Sequence, residues 1–233
     1  AHVDHLGRGE IGNSLAHSGE EGQVHPGADD NASGVSGMIE IARTLARRKA
    51  AGDLAGARRD VVFAAWSGEE IGLLGSSHYV KDLAGAEAES IYPEVAANLN
   101  LDMIGRLQQS VIVQGVGSSP GWRREIERAN AALGLPVTLS DETFLPSDAT
   151  SFYLKGVPFL SAFTGAHGDH HSPRDTADRL DYAGLARIAH LFAAIAASLV
   201  TSEAPPAFVK LPAPARVTGG QGRRAYLGTI PDF

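Results

Sequence analysis

The stretch Val-Val-Phe-Ala-Ala-Trp-Ser-Gly-Glu-Glu-Ile-Gly-Leu-Leu-Gly, residues 61–75, constrains the fold more than any other. Val61 to Trp66 are consecutive apolar residues with no polar break. Such a run reads as a strand buried on both faces, as in a parallel sheet covered by helices. Ser67 and Gly68 stop the run, and Glu69 and Glu70 follow at once. Ligand crevices of open α/β sheets lie at the carboxyl ends of strands, so this acid pair stands where chemistry is expected. Neighbouring carboxylates on a tight turn point in different directions. One can bind a metal ion while the other faces the water that the ion activates. A solvated pair opening a helix, where acids suit the dipole, accounts for the same residues.

The rest of the chain repeats the order strand, acid or histidine, helix, which predicts an α/β sandwich. Residues 6–29 are glycine-rich and aperiodic, a long loop over a site. Asp29, Asp30 and Asn31 lead into an amphipathic helix carrying Val35, Met38, Ile39, Ala42 and Leu45. One N-cap needs one such residue, so three in a row leave room for a second role. A short helix from Ile71 to Leu83 follows the opening strand. Val95–Ile104 is the next expected strand, with Asp102 near its end, where an acid needs either Arg106 or a metal as partner. Ser110–Val116 and Pro158–Phe163 read as further strands, and Trp122–Leu133 as a helix. Another helix is capped at Ser147–Thr150. The last helix, Tyr182–Thr201, carries Leu185, Ile188, Phe192, Ile195 and Leu199 on one face. Between Pro158–Phe163 and that helix, His167, His170 and His171 crowd beside Asp169.

Strand exits thus bring His2, Asp4, Asp30, Glu69, Glu70, Asp102 and the His170–His171 pair to one edge. Alternate residues of a strand share a face, so Asp4 lies on the side of His2 and can orient its ring. Composition narrows the chemistry. With no cysteine there are no disulfides, thiolate ligands or Cys nucleophile, and any transition metal must use His and carboxylate. Nitrogen and oxygen donors without sulfur suit zinc, and less specifically manganese or cobalt. A net charge of -7 with no basic cluster argues against nucleic acid as a partner. No apolar run reads as a membrane span. The 233 residues carry 43% hydrophobic side chains, ample for a single core.

Five motifs in this order resemble the M28 family of zinc-dependent exopeptidases. They are Ala1-His2-Val3-Asp4, Gly27-Ala28-Asp29-Asp30-Asn31-Ala32-Ser33-Gly34, Ser67-Gly68-Glu69-Glu70-Ile71-Gly72, Asn100-Leu101-Asp102-Met103 and His171-Ser172-Pro173-Arg174-Asp175-Thr176. The resemblance covers residues 1–203 as a zinc peptidase catalytic domain. It implies a three-layer α/β/α sandwich with a mostly parallel mixed sheet, the phosphorylase/hydrolase-like zinc peptidase fold, lacking the family's opening elements before the first His. It also implies two zinc ions, with His2 and Asp102 on one, Glu70 and His171 on the other, and Asp30 bridging. Glu69 takes the place of the general base and Asp4 that of the carboxylate behind His2. The implied activity is aminopeptidase release of residues from peptide N-termini. A single-zinc or carboxypeptidase-type relative, and a non-catalytic interaction domain on the same fold, are the alternatives.

The chain departs from the family pattern at two places. His170 stands where many members carry Tyr, and a His there can still donate a hydrogen bond to a developing oxyanion. Ala149 stands where many carry His. Beyond residue 203 the chain is rich in Pro and Gly and reads as a linker, and Tyr226–Phe233 resembles the start of a PDZ domain. Family members are often exported, so a secreted or periplasmic location is the expectation. Side-chain preference and oligomeric state are not encoded in these motifs.

Overall fold

A computed structural model describes residues 1–10, 12–85 and 88–213 of the chain. Tyr226–Phe233, the expected start of a PDZ domain, lies outside the described residues. Strands β1 (Asn98–Leu101), β2 (Val111–Gln114), β3 (Val137–Leu139) and β4 (Phe159–Phe163) form a four-stranded sheet in the order β1-β4-β2-β3. β1 runs parallel to β4, β2 runs parallel to β3, and β2 meets β4 antiparallel. Helices α1 (Gly34–Ala50), α3 (Trp122–Asn130) and α5 (Tyr182–Thr201) pack together on one face, while α2 (Leu74–Ala84) and α4 (Ala149–Tyr153) pack together on the other. This is the expected α/β/α layering with a mixed sheet.

Strand alternation divides the two cores. Leu160 and Ala162 of β4 join Val111 and Val113 of β2 in the cluster shared with α1, α3 and α5. Phe159 points the other way, edge-on to Tyr153 with ring centroids 5.8 Å apart. The centre of the larger cluster is α5. Its N-cap Asp181 accepts the amide of Gly184 at 3.0 Å, and Ile188, Phe192 and Ile195 on its stripe are fully buried. Alanines at 189, 193, 196 and 197 are buried beside them, so neighbouring elements can approach closely. The helix is long and apolar enough to cross a membrane by length alone, and here that apolarity is spent inside the core. α1 lies hard against β1. A methyl group on Gly34 would run into the Leu101 carbonyl and the Asn31 side chain.

Four expectations differ from what the structure shows. Val61–Phe63 are extended but exposed, at 40%, 72% and 42% of their surface. Only an isolated parallel bridge between His2 and Trp66 touches the segment, and among the described residues no strand flanks its other side. Burial on both faces requires neighbours on both edges and helices above and below, and the local run of apolar residues carries no information about those. α2 begins at Leu74 rather than Ile71, because Gly72 and Leu73 take positive φ values of 115° and 57°. β3 lies between the expected helix Trp122–Leu133 and the cap at Ser147, where no strand is expected. Residues 204–213, expected to begin a linker, pack on the domain: the Val209 amide donates to Ser118 O at 2.8 Å, and the Phe208 ring lies tilted against Tyr153 with centroids 5.4 Å apart.

Candidate metal centre

Each site residue is delivered by a different local device. His2 is held by the short bridge to Trp66, with the Val3 amide on Trp66 O at 2.7 Å and the Trp66 amide on Ala1 O at 3.0 Å. Gly68, at φ 73°, turns the chain after that bridge and presents Glu69 and Glu70. Asp102 follows the last residue of β1, its amide on Ala162 O at 3.1 Å. Asp30 occupies the turn before α1 with non-helical angles of -107° and 89°. His171 sits at φ 53°, in the left-handed region. Leu73, Met103 and His171 are the non-glycine residues with positive φ among the described residues, and all three line one cavity of about 320 Å³. Strained backbone of this kind concentrates where a side chain must be aimed.

The cavity floor holds the acids and histidines. His2 Nε2 lies 3.1 Å from Asp30 Oδ1 and 3.5 Å from Asp102 Oδ1. His171 Nε2 lies 3.1 Å from Asp30 Oδ2 and 3.0 Å from Glu70 Oε2. Asp30 therefore reaches His2 with one oxygen and His171 with the other, and joins two half-sites, His2–Asp102 and Glu70–His171. Glu69 Oε2 stands 3.9 Å from His2 Nε2. Both rings donate Nδ1–H to a backbone carbonyl, His2 to Asp4 O at 3.2 Å and His171 to Asn13 O at 3.1 Å. Each Nε2 is thereby turned toward the carboxylates, the orientation of a metal-ligating histidine.

The electrostatics call for cations at this floor. Burial works against a charged His2, but hydrogen bonds to Asp102 and Asp30 outweigh it and push the ring up to about 12. His171 is likewise opposed by burial and raised to about 10 by Asp30 and Glu70. Burial would raise Asp30 and Glu70, yet the surrounding histidines hold both carboxyls below their ordinary range. Glu69, buried and beside Asp102, Asp148 and Glu70, is pushed up to about 9, with His2 pulling the other way. Protons on His2 and His171 thus occupy the positions where positive charge is needed. Carboxylate and imidazole donors that gather within 4.8 Å, as His2, Asp30 and Asp102 do, suit a divalent ion. The residues present fit metal binding.

Of the residues singled out from the sequence, His2, Asp30, Glu69, Glu70, Asp102, His170 and His171 all line this cavity. Asp4 is placed behind it. Its carboxylate lies 3.8 Å from His2 Nδ1, farther than its own carbonyl, and instead accepts the amides of Glu69 at 3.2 Å and Glu70 at 3.4 Å. His170 stacks on His171 with centroids 3.8 Å apart and sets Nε2 at 3.2 Å from Asp30 Oδ2. Asp102 is not paired with Arg106, which binds Asp169 and Asp175 instead. Asp29 does not cap α1. It is buried, accepts the Gly105 amide at 2.6 Å and faces His167 Nε2 at 3.1 Å. Asn31 takes the capping role, with Oδ1 on the Gly34 amide at 3.0 Å.

Sequence reasoning missed four supporting residues. Ser147 donates to Asp102 Oδ2 at 3.1 Å. Asp175, fully buried, accepts the amides of Asp29 at 2.8 Å and Asp30 at 3.1 Å. His5, just before the glycine-rich loop, and Asn13, within it, contact Glu70. Ser147 and Asp175 lay inside or beside motifs already noted. His5 had no signal beyond following Asp4 by one residue.

Comparison with known proteins places the arrangement. Residues 1–196 match peptidase family M28. An aminopeptidase of Pseudomonas aeruginosa is 37% identical over 152 residues, covering 61% of this chain and 26% of the relative. Aminopeptidase YwaD of Bacillus subtilis is 29% identical over 194 residues, covering 79% of this chain and 40% of the relative. Among solved structures, BSAP, a zinc aminopeptidase from Bacillus subtilis, superposes with a TM-score of 0.60 at 27% identity, over 76% of this chain and 43% of its own. The chain thus spans between a quarter and a half of the length of these relatives. With the family match extending over its whole sheet and every site residue, the chain belongs to peptidase family M28.

Proposed function

We propose that this chain carries the dimetal centre of an aminopeptidase that removes residues from peptide N-termini. The observation behind the reading is Asp30, one carboxylate whose two oxygens each face a different histidine. His2 and Asp102 would hold one ion, Glu70 and His171 the other, with Asp30 shared. Zinc fits a sulfur-free set of nitrogen and oxygen donors, and BSAP is a zinc aminopeptidase. Ions at these positions supply Lewis acidity toward a scissile carbonyl and lower the pKa of a water.

The protein's own residues supply the rest. Glu69 is the proton carrier: it accepts the proton of the attacking water and returns it to the leaving amine nitrogen. It lines the cavity without being the bridging carboxylate, so its oxygens remain free for that exchange. Its elevated pKa comes from burial and three neighbouring carboxyls, and would fall toward a value suited to a base once cations were held among those carboxyls. Asp4 holds the backbone amides of Glu69 and Glu70, which keeps the two side chains divergent. His170, part-exposed on the cavity wall, is assigned the hydrogen bond to the carbonyl oxygen as charge develops there. Leu73, Met103, Leu145 and Phe163 line the same cavity and exclude water around the reacting bond.

The test is hydrolysis of amino-acid anilides, N-blocked peptides and peptides with free C-termini, each with and without chelator. Chelator-sensitive cleavage that requires a free N-terminus is the expected result. Cleavage from the C-terminus would replace the reading with a carboxypeptidase, and a folded, metal-loaded chain inert toward all three would replace it with a binding domain.

A further inference from the structure

The two half-sites are supported from different parts of the fold. His2–Asp102 rests on β1 and the segment before α4, through Ser147 on Asp102 Oδ2. Glu70–His171 is tied instead to the glycine-rich loop. His5 Nδ1 lies 2.6 Å from Glu70 Oε1, and Asn13 Nδ2 donates to Glu70 O at 3.0 Å. The Asn13 carbonyl accepts from His171 Nδ1 at 3.1 Å, and the Leu15 amide donates to His171 O at 2.7 Å. Loop contacts of this kind reach both members of one half-site.

Within that half-site the oxygens of Glu70 are divided. Oε2 faces His171 at 3.0 Å, on the side of the proposed ion, and Oε1 faces His5. The Nε2 atom of His5 is buried and has no hydrogen-bond partner among the described residues. A proton on Nε2 would be an unsatisfied buried donor, so the ring proton belongs on Nδ1, where Glu70 Oε1 accepts it. A carboxylate with one oxygen fixed in this way cannot swing or chelate through both oxygens. It presents Oε2 alone.

We propose that His5 is a positioning residue which, with Asn13, sets the affinity of the Glu70–His171 metal position and leaves the His2–Asp102 position unaffected. The inference rests on the dimetal reading above and concerns one half of it. Outer partners of metal ligands typically contribute 10–100-fold in affinity.

The test titrates metal-stripped protein with Zn²⁺ against a competing chromogenic chelator, and repeats the titration with Co²⁺ to follow its absorption bands. Wild type should take up two ions. His5→Phe should keep one at wild-type affinity and bind the other 10–100-fold more weakly. His5→Asn, whose amide nitrogen can stand near the position of Nδ1, should recover most of that loss. Should His5→Phe fail to fold, as judged by circular dichroism, Asn13→Ala, which removes the donor to the Glu70 carbonyl, carries the same expectation. Two ions bound by His5→Phe at wild-type affinity would overturn the inference and leave the dimetal reading standing. Equal weakening of both ions would also overturn it, since the ring would then support the whole site. A wild-type chain that takes up no second ion would refute the dimetal reading and this inference together.

Discussion

Stripping the metal should make this protein sensitive to alkali, and the size of the effect follows from the cavity floor. In the folded, metal-free chain, Glu69 holds its proton to about pH 9, His171 to about 10 and His2 to about 12. Unfolding returns these groups to ordinary values near 4.5 for Glu and 6.5 for His. Between about pH 7.5 and 9 the folded state therefore binds three protons that the unfolded state does not. All three pKa values are raised on folding, so the stability they confer is complete at low pH and falls as pH rises. Each proton contributes about 1.4 kcal/mol per pH unit, which sets a limiting slope of about 4 kcal/mol per unit. Across the window this removes about 6 kcal/mol, enough to unfold a stripped chain at the lower end of the usual range of about 5–15 kcal/mol and to destabilise any other severely. Asp30 and Glu70 add nothing to this window, because their lowered pKa values leave them ionised in both states. Their contribution is lost only in acid. Scanning thermal unfolding from pH 6.5 to 9.5, with chelator and with added Zn²⁺, measures the slope directly. The stripped protein should lose Tm steeply above pH 7.5 while the loaded protein stays nearly level, because ions then replace the protons. A flat, chelator-independent profile would refute the reasoning that this floor demands positive charge.

The remaining predictions address single residues. Glu69→Gln should bind both ions yet lose about 10²–10⁴-fold in turnover, and near-normal activity in a metal-replete Glu69→Gln protein would remove Glu69 as proton carrier. Asp30→Ala should bind fewer ions than wild type, so elemental analysis that finds two would exclude its bridging role. Asp175→Ala leaves the buried amides of Asp29 and Asp30 without acceptors, at about 1–3 kcal/mol each. Urea unfolding should register that loss, and an unchanged midpoint would show that other groups satisfy the turn. Val62→Lys places a charge on the exposed apolar segment and should reduce concentration-dependent light scattering; unchanged scattering would locate self-association elsewhere.

Much of this site was legible because its ligands follow local rules. A turn after an apolar run, an acid after a strand, and histidines between a strand and a helix each mark a strand exit, and the structure gathers them into one cavity. Helix α5 was legible because Leu185, Ile188, Phe192, Ile195 and Leu199 recur at helical spacing. What was not legible depends on contacts between distant segments. His5 and Glu70 are 65 residues apart, and Asp175 and Asp29 are 146 apart, so no local pattern announces either bond. The division of roles between Asp29 and Asn31 was not legible for the same reason. Helix capping is local, but which of three adjacent polar residues caps was decided by Gly105 and His167, which claim Asp29 from elsewhere. Val61–Phe63 shows the converse limit: apolar character records what a segment can bury, and its neighbours determine whether it does.

The metal-facing residues all lie outside the main apolar cluster, on turns and loops flanking the sheet. An ion shared among Asp30, Glu70 and His171 would act as a cross-link, closing chain segments far apart in sequence in the manner of a disulfide that this cysteine-free protein does not possess. Closing long loops removes entropy chiefly from the unfolded ensemble, and that entropy grows only slowly with loop length. Two ions at these positions would couple these loops to one another as well as to the sheet. Their removal should let the loops open while α5 and β4 stay closed, dividing unfolding into two tiers along the boundary between the core and the site.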